Sequence, residues 1–128
     1  MDTPVRLGRF GEEEARRELE GRGYRIVTGN YACRGGEVDL VAWDADTLVF
    51  VEVKTRSSLS RGLPREAVTP RKQRRLLAAA QHYCHHHTSG QGDPALSPPV
   101  RFDVVEVVMR RGRLAGVEVI PDAFRVQV

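Results

Sequence analysis

GEVDLVAWDADTLVFVEVKTR, Gly36 to Arg56, carries the pattern that decides the fold. Asp44-Ala45-Asp46 supplies a tight connection, so Glu37 to Trp43 and Thr47 to Thr55 read as the two strands of a hairpin. A turn centred between Ala45 and Asp46 sets Trp43 opposite Leu48, Val41 opposite Phe50, Asp39 opposite Glu52 and Glu37 opposite Lys54. Side chains alternate between faces along a strand. One face of this hairpin therefore carries Val38, Leu40, Ala42, Val49, Val51 and Val53 and is wholly apolar. The other is divided, with Trp43, Val41, Leu48 and Phe50 towards the turn and Glu37, Asp39, Glu52 and Lys54 at the far end.

The flanking segments complete one domain over residues 1–128. Upstream, Tyr24 to Cys33 reads as a strand, joined to the hairpin by the Gly35-Gly36 turn. Thr3-Pro4 as cap and first turn, with Gly21 and Gly23 as stops, predicts a helix over residues 4–21. Downstream, Ser57 to Leu63 is polar loop, and Thr69-Pro70 opens a helix whose apolar residues Leu76, Leu77, Ala80, Tyr83 and Cys84 follow the 3.6 period. Thr88 to Pro99, rich in Gly and Pro, is expected to be a mobile loop, and Arg101 to Met109 and Leu114 to Ile120 supply two more strands. The order αβββαββ, with strands apolar on both faces, predicts an α/β fold: a mixed central sheet of about five strands flanked by helices. No dinucleotide-binding glycine fingerprint, phosphate-binding P-loop or nucleophile elbow is present.

The chain has 128 residues, 41% of them hydrophobic and 29% charged, as in an ordinary globular domain. It has no apolar run of membrane-spanning length and no signal-peptide core, so a cytoplasmic location without membrane contact is expected. Cys33 and Cys84 lack metal-ligand spacing and read as structural thiols. Net charge is +3, which permits a nucleic-acid partner without demanding one.

Like charges directly opposed on neighbouring strands destabilise a sheet, so Asp39 and Glu52 need compensation. A salt-bridge lattice through Lys54 would serve, as would a proton held by one carboxylate at a raised pKa. A divalent cation, Mg²⁺ or Mn²⁺, would serve as well, since both take hard oxygen ligands. The Val, Phe and Leu neighbours argue against free solvation, because unpaired buried charge is costly. Lys54 is itself a departure in a chain that writes 18 of its 20 basic residues as Arg, and a compact ammonium suits water activation better than a planar guanidinium. On the first helix, Gly8, Glu12, Ala15 and Leu19 share a stripe with Val5 and Gly11 at its edges, so Glu12 faces the sheet and needs a partner there, while small residues allow close approach. Gln73 lies on the apolar stripe of the second helix, where it would reach the same site or turn to water.

The runs GRFGEEEA, CRGGEVDLVA, LVFVEVKTR, GLPREAVTPRKQRRL and RFDVVEV closely resemble the YraN family of small bacterial proteins, over nearly the whole chain. That family is in turn similar to the PD-(D/E)-x-K restriction-endonuclease-like superfamily, including the archaeal Holliday-junction resolvases. The resemblance implies a restriction-endonuclease-like fold and a Mg²⁺- or Mn²⁺-dependent endonuclease acting on DNA, with a role in repair or recombination. It makes Asp39 the motif acid, Glu52 and Lys54 the E-x-K pair, Glu12 the helix acid and Gln73 the polar residue of the following helix. Asp39, Glu52 and the Val53 carbonyl would hold the metal with Glu12, and Lys54 would orient and help deprotonate the attacking water. Val38 stands where the superfamily pattern has Pro, a residue without a chemical role in metal binding.

Arg34, Arg56, Arg71, Lys72, Arg74 and Arg75 are the candidate phosphate contacts, or else solvated charges. His82, His85, His86 and His87 share a helix end without an acid or Cys ligand and read as an exposed helix terminus rather than a metal centre. The competing expectation is a catalytically inactive nucleic-acid-binding or protein-interaction module on the same fold. RNA in place of DNA, and a homodimer, stay open.

Overall fold

A computed structural model describes residues 4–57, 68–88 and 97–125, and the side chains of residues 8 onward within them. The elements are α1 (Pro4–Gly21), β1 (Arg25–Cys33), β2 (Gly36–Asp44), β3 (Thr47–Ser57), α2 (Pro70–His87), β4 (Val100–Arg110) and β5 (Arg113–Ile120). The expected order and type of element hold throughout. The Thr3 cap, the loop expected after Ser57 and most of the Thr88–Pro99 loop lie outside the described residues.

The five strands form one sheet in chain order. β1, β2 and β3 run antiparallel as a meander, β4 lies parallel to β3 and β5 returns antiparallel on β4. A parallel neighbour needs a crossover, and α2 supplies it between β3 and β4. Thr69 caps α2 by accepting the Lys72 amide at 3.2 Å, and Pro70 occupies the first turn, where its missing N–H costs nothing.

The period of two sorts the central strands into two cores. Leu40, Ala42, Val49, Val51, Val105 and Val107 pack under Ala15 and Leu19 of α1, and Val41, Leu48, Phe50, Phe102 and Val104 pack under Leu76, Ala79, Ala80 and Tyr83 of α2. Each fully buried large side chain is worth roughly 1.5–3 kcal/mol over an exposed one, which is why a central strand apolar on both faces sits between two helices. Both helices press close where glycine makes room. A Cβ on Gly11 would meet Thr55 Oγ1 at 2.0 Å, and one on Gly36 would meet the Arg75 carbonyl oxygen at 2.1 Å. Gly8, expected to help α1 approach, is exposed with nothing near it, so the close stripe is Gly11, Ala15 and Leu19.

One expectation about faces fails. Val38 joins the α2 core while Leu40 joins the α1 core, although a regular strand would put them on the same side. The alternation is broken at Asp39, and Asn30, which faces Asp39 between the pairs Gly29↔Leu40 and Tyr31↔Val38, has φ 53°. Asn tolerates that left-handed conformation better than most residues. The distortion lies where the acidic residues collect.

Candidate metal and phosphate site

The hairpin register is as expected from Asp44↔Thr47 to Leu40↔Val51, and there it stops. Asp39 and Glu52 do not continue it as a backbone pair. Asp39 instead turns its carboxylate onto the next strand, where Oδ2 accepts the Val53 amide at 2.7 Å. A side chain has taken the place of a strand partner. β3 meanwhile stays paired with β4, with Glu52 beside Val104 and Lys54 beside Glu106.

Glu52 is buried, 6% exposed, on the face that carries Leu48 and Phe50. Its Oε1 lies 2.5 Å from Lys72 Nζ. Burial pushes the Asp39 carboxyl up to about 7, the charge of Glu52 adds to the rise, the Val53 hydrogen bond opposes it, Glu12 adds a further push and Lys72 a further opposition. Of the three compensations expected for the pair, the lattice through Lys54 does not form; a cation does sit on Glu52, and the Asp39 carboxyl is shifted in the direction that favours a retained proton. That cation is Lys72, not Lys54. Desolvation works against the charged Lys72 ammonium, but its bond to Glu52 and the charges of Glu52, Asp39 and Glu37 outweigh it and raise its pKa.

Glu12 stands close enough to act on Asp39, with one oxygen held by the Asn30 side-chain amide at 3.0 Å. Lys54 is half-buried on the face of Glu52, and among the described residues no carboxylate lies within ion-pair distance of it. The expected pairing of Glu37 with Lys54 does not form, because the ladder has ended. Glu37 is exposed and reaches Arg75 at 3.6 Å. Gln73 donates its side-chain amide to the Val68 carbonyl at 3.0 Å, securing the start of α2.

Arg56, a candidate phosphate contact, lies 3.3 Å from Glu106, charge against charge without hydrogen-bond geometry. Arg34, Arg71 and Arg74 are exposed, and Arg71, Lys72 and Arg75 line a cleft with Glu37 and Thr69. The histidines are exposed at the far end of α2, where Tyr31 OH meets His82 Nδ1 at 2.5 Å and the His87 ring stacks on Tyr83.

The donor chemistry fits a hard divalent cation. Two carboxylates share a half-covered site in which one is driven to keep its proton, and a cation would remove that need. Among the described residues, no three His, Cys, Asp or Glu side chains converge as a ready cage.

Residues 11–107 match the family described as Uncharacterised protein family UPF0102. The chain belongs to this family, the YraN family of the resemblance. A UPF0102 protein of Clavibacter michiganensis is 49% identical over 117 residues, covering 91% of this chain and 94% of its own. One from Renibacterium salmoninarum is 45% identical over 112 residues, covering 88% and 90%, and one from Syntrophus aciditrophicus is 44% identical over 124 residues, covering 97% and 92%. Among the described residues no helix is long and apolar enough to cross a membrane.

Two residues of this neighbourhood escape the sequence reading. Asn30 holds Glu12, and its signal is an Asn amid strand residues, TGNYA, a type suited to positive φ. Glu106 holds Arg56, and its signal is a lone acid in VVEVV, where an apolar strand has no use for one.

Proposed function

We propose that this UPF0102 protein is a divalent-cation-dependent nuclease of the PD-(D/E)-x-K kind, hydrolysing phosphodiester bonds in DNA. The observation that carries the reading is the Asp39–Glu52 pair: two buried or half-buried carboxylates whose repulsion and desolvation drive Asp39 up to about 7. Opposed, desolvated carboxylates cost a fold stability, and strongly perturbed acids are a mark of functional sites. Asp39, Glu52 and the Val53 carbonyl are the residues proposed to hold Mg²⁺ or Mn²⁺, with Glu12 behind them. When bound, the ion supplies Lewis-acid polarisation of the phosphate and charge neutralisation. Lys54, on the face of Glu52 and without a carboxylate partner among the described residues, is assigned to hold the attacking water by hydrogen bond. Arg71 and Arg74, both exposed on the first turns of α2, are assigned to the phosphates on either side.

Cleavage of single-stranded, duplex and branched DNA, and of RNA, with Mg²⁺, with Mn²⁺ and with chelator tests this reading. Glu52→Gln and Lys54→Ala should each abolish turnover while the proteins stay folded. Equal cleavage by wild type and Glu52→Gln would assign the activity to something else. The Lys72–Glu52 ion pair favours a second reading, a non-catalytic nucleic-acid-binding module in which lysine does permanently what a metal does in a nuclease. That reading predicts DNA binding with no heat of divalent-cation binding.

A further inference from the structure

The cation that sits on Glu52 is not the lysine of the E-x-K strand but one from the first turn of α2. Lys72 Nζ lies 2.5 Å from Glu52 Oε1, and its side chain is 43% exposed while that of Glu52 is 7% exposed. The ammonium thus spans two environments, with its head on a buried acid and its stem in the cleft lined by Glu37, Thr69, Arg71 and Arg75. An aliphatic stem with several rotatable bonds leaves such a contact at low cost, whereas a forked guanidinium does not. Lys72 occupies Glu52 Oε1, so a cation arriving at this carboxylate meets the ammonium charge beside it. The backbone around it is fixed: the Lys72 amide is tied to Thr69 Oγ1, and Gly36 lets α2 lie directly on β2.

We infer that Lys72 is a resident counter-ion, displaced from Glu52 when a divalent cation binds and released into the arginine-lined cleft. There it joins Arg71 and Arg75 as a third positive group for a phosphate backbone. Cation binding and polyanion binding are then linked, and each strengthens the other by the same factor. The inference rests on the metal-binding reading above and adds to it the order of events at Glu52.

The chain has only two lysines, Lys54 and Lys72, so amine labelling reports each separately by mass spectrometry. Wild-type protein should label slowly at Lys72 without metal and several-fold faster with saturating Mn²⁺, and Glu52→Gln should label fast at Lys72 in both conditions. Calorimetric titration with Mn²⁺ should show Lys72→Gln binding about fivefold tighter than wild type, the gain expected from removing a competing ion pair worth just under 1 kcal/mol. If Mn²⁺ binds wild type but neither Lys72 labelling nor the Lys72→Gln affinity changes, Lys72 stays on Glu52 and the displacement is wrong, while the metal site stands. If Mn²⁺ gives no binding heat with either protein, the metal reading falls and the displacement falls with it.

Discussion

Two acidic sites are set into the same sheet, and they are compensated in opposite ways. On β4, beside Val51 of β3, Asp103 is fully buried and saturated. It accepts from Tyr24 OH at 2.8 Å, from Arg101 Nε at 2.8 Å and Nη2 at 3.1 Å, and from the Asp122 amide at 2.9 Å, while Arg101 also reaches Asp44 at 2.9 Å. At the second site, Asp39 takes one backbone amide and is driven towards neutrality, and Glu52 takes one lysine from a partly exposed helix start. The chain can satisfy a buried carboxylate completely, and does so at Asp103. Leaving Asp39 and Glu52 short of partners is therefore a property of that site, not of the fold's resources, and it leaves oxygen donors available for a ligand.

The largest loss of stability should follow removal of the saturated acid. Asp103→Ala takes the doubly bonded acceptor from Arg101, which keeps Asp44, and the acceptor from the buried Tyr24 hydroxyl, and should cost about 3 kcal/mol of stability, the low end of the penalty for breaking a buried charged network. Urea unfolding followed by far-UV circular dichroism measures it. A loss below about 1 kcal/mol would mean that Asp103 is as dispensable as any surface acid, and the comparison would lose its fixed point.

Much of the molecule is legible in its sequence. The hairpin register, the two helices and the αβββαββ order follow from the DAD turn, the alternation of 48–53 and the Thr69-Pro70 start, because each is a local rule. The nearness of Asp39 and Glu52 follows from the hairpin and that of Glu12 from the period of α1, although the backbone pairing itself stops at Leu40↔Val51. Three things are not legible. Lys72 reaches Glu52 only because Gly36 allows α2 to sit on β2, a long-range fit that no spacing encodes. The break of alternation at Asp39 depends on Asn30 across the strand pair, so a period of two alone puts Val38 on the wrong face. Gln73, a site residue by its place on the stripe, spends its amide on Val68, since a helix start has carbonyls nearby that need donors.

The unsaturated site should respond to charge removal with the opposite sign. Folding raises the Asp39 pKa from its ordinary 3.8 to about 7. Between those values the folded protein holds a proton that the unfolded chain has released, so the Asp39 contribution to stability falls as pH rises through the window and is gone above about 7. Asp39→Asn cannot ionise and keeps an oxygen for the Val53 amide. In chelator, the variant should match wild type near pH 4, gain on it steadily to pH 7, and be more stable by up to about 4 kcal/mol at pH 8, about 1.4 kcal/mol for each unit of the rise. Thermal melts across that range give the profile. A variant less stable than wild type at pH 8 would show that Asp39 is compensated after all, and would place it with Asp103.

The smallest effect concerns the two cations that serve the two sites. Arg101 grips two carboxylates and a tyrosine with a planar fork, whereas Lys72 meets one oxygen with an ammonium that solvent partly screens. In metal-free protein, Lys72→Gln should therefore cost less than about 1 kcal/mol, because a partly exposed ion pair gives back in hydration most of what it gains in attraction. The loss should shrink further at 0.5 M NaCl, where the Debye length falls to a few ångströms. A counter-ion that stability hardly needs is one that a ligand can displace at little cost. A loss of several kcal/mol on Lys72→Gln, unchanged by salt, would instead make Lys72 the equal of Arg101, with Glu52 locked as firmly as Asp103.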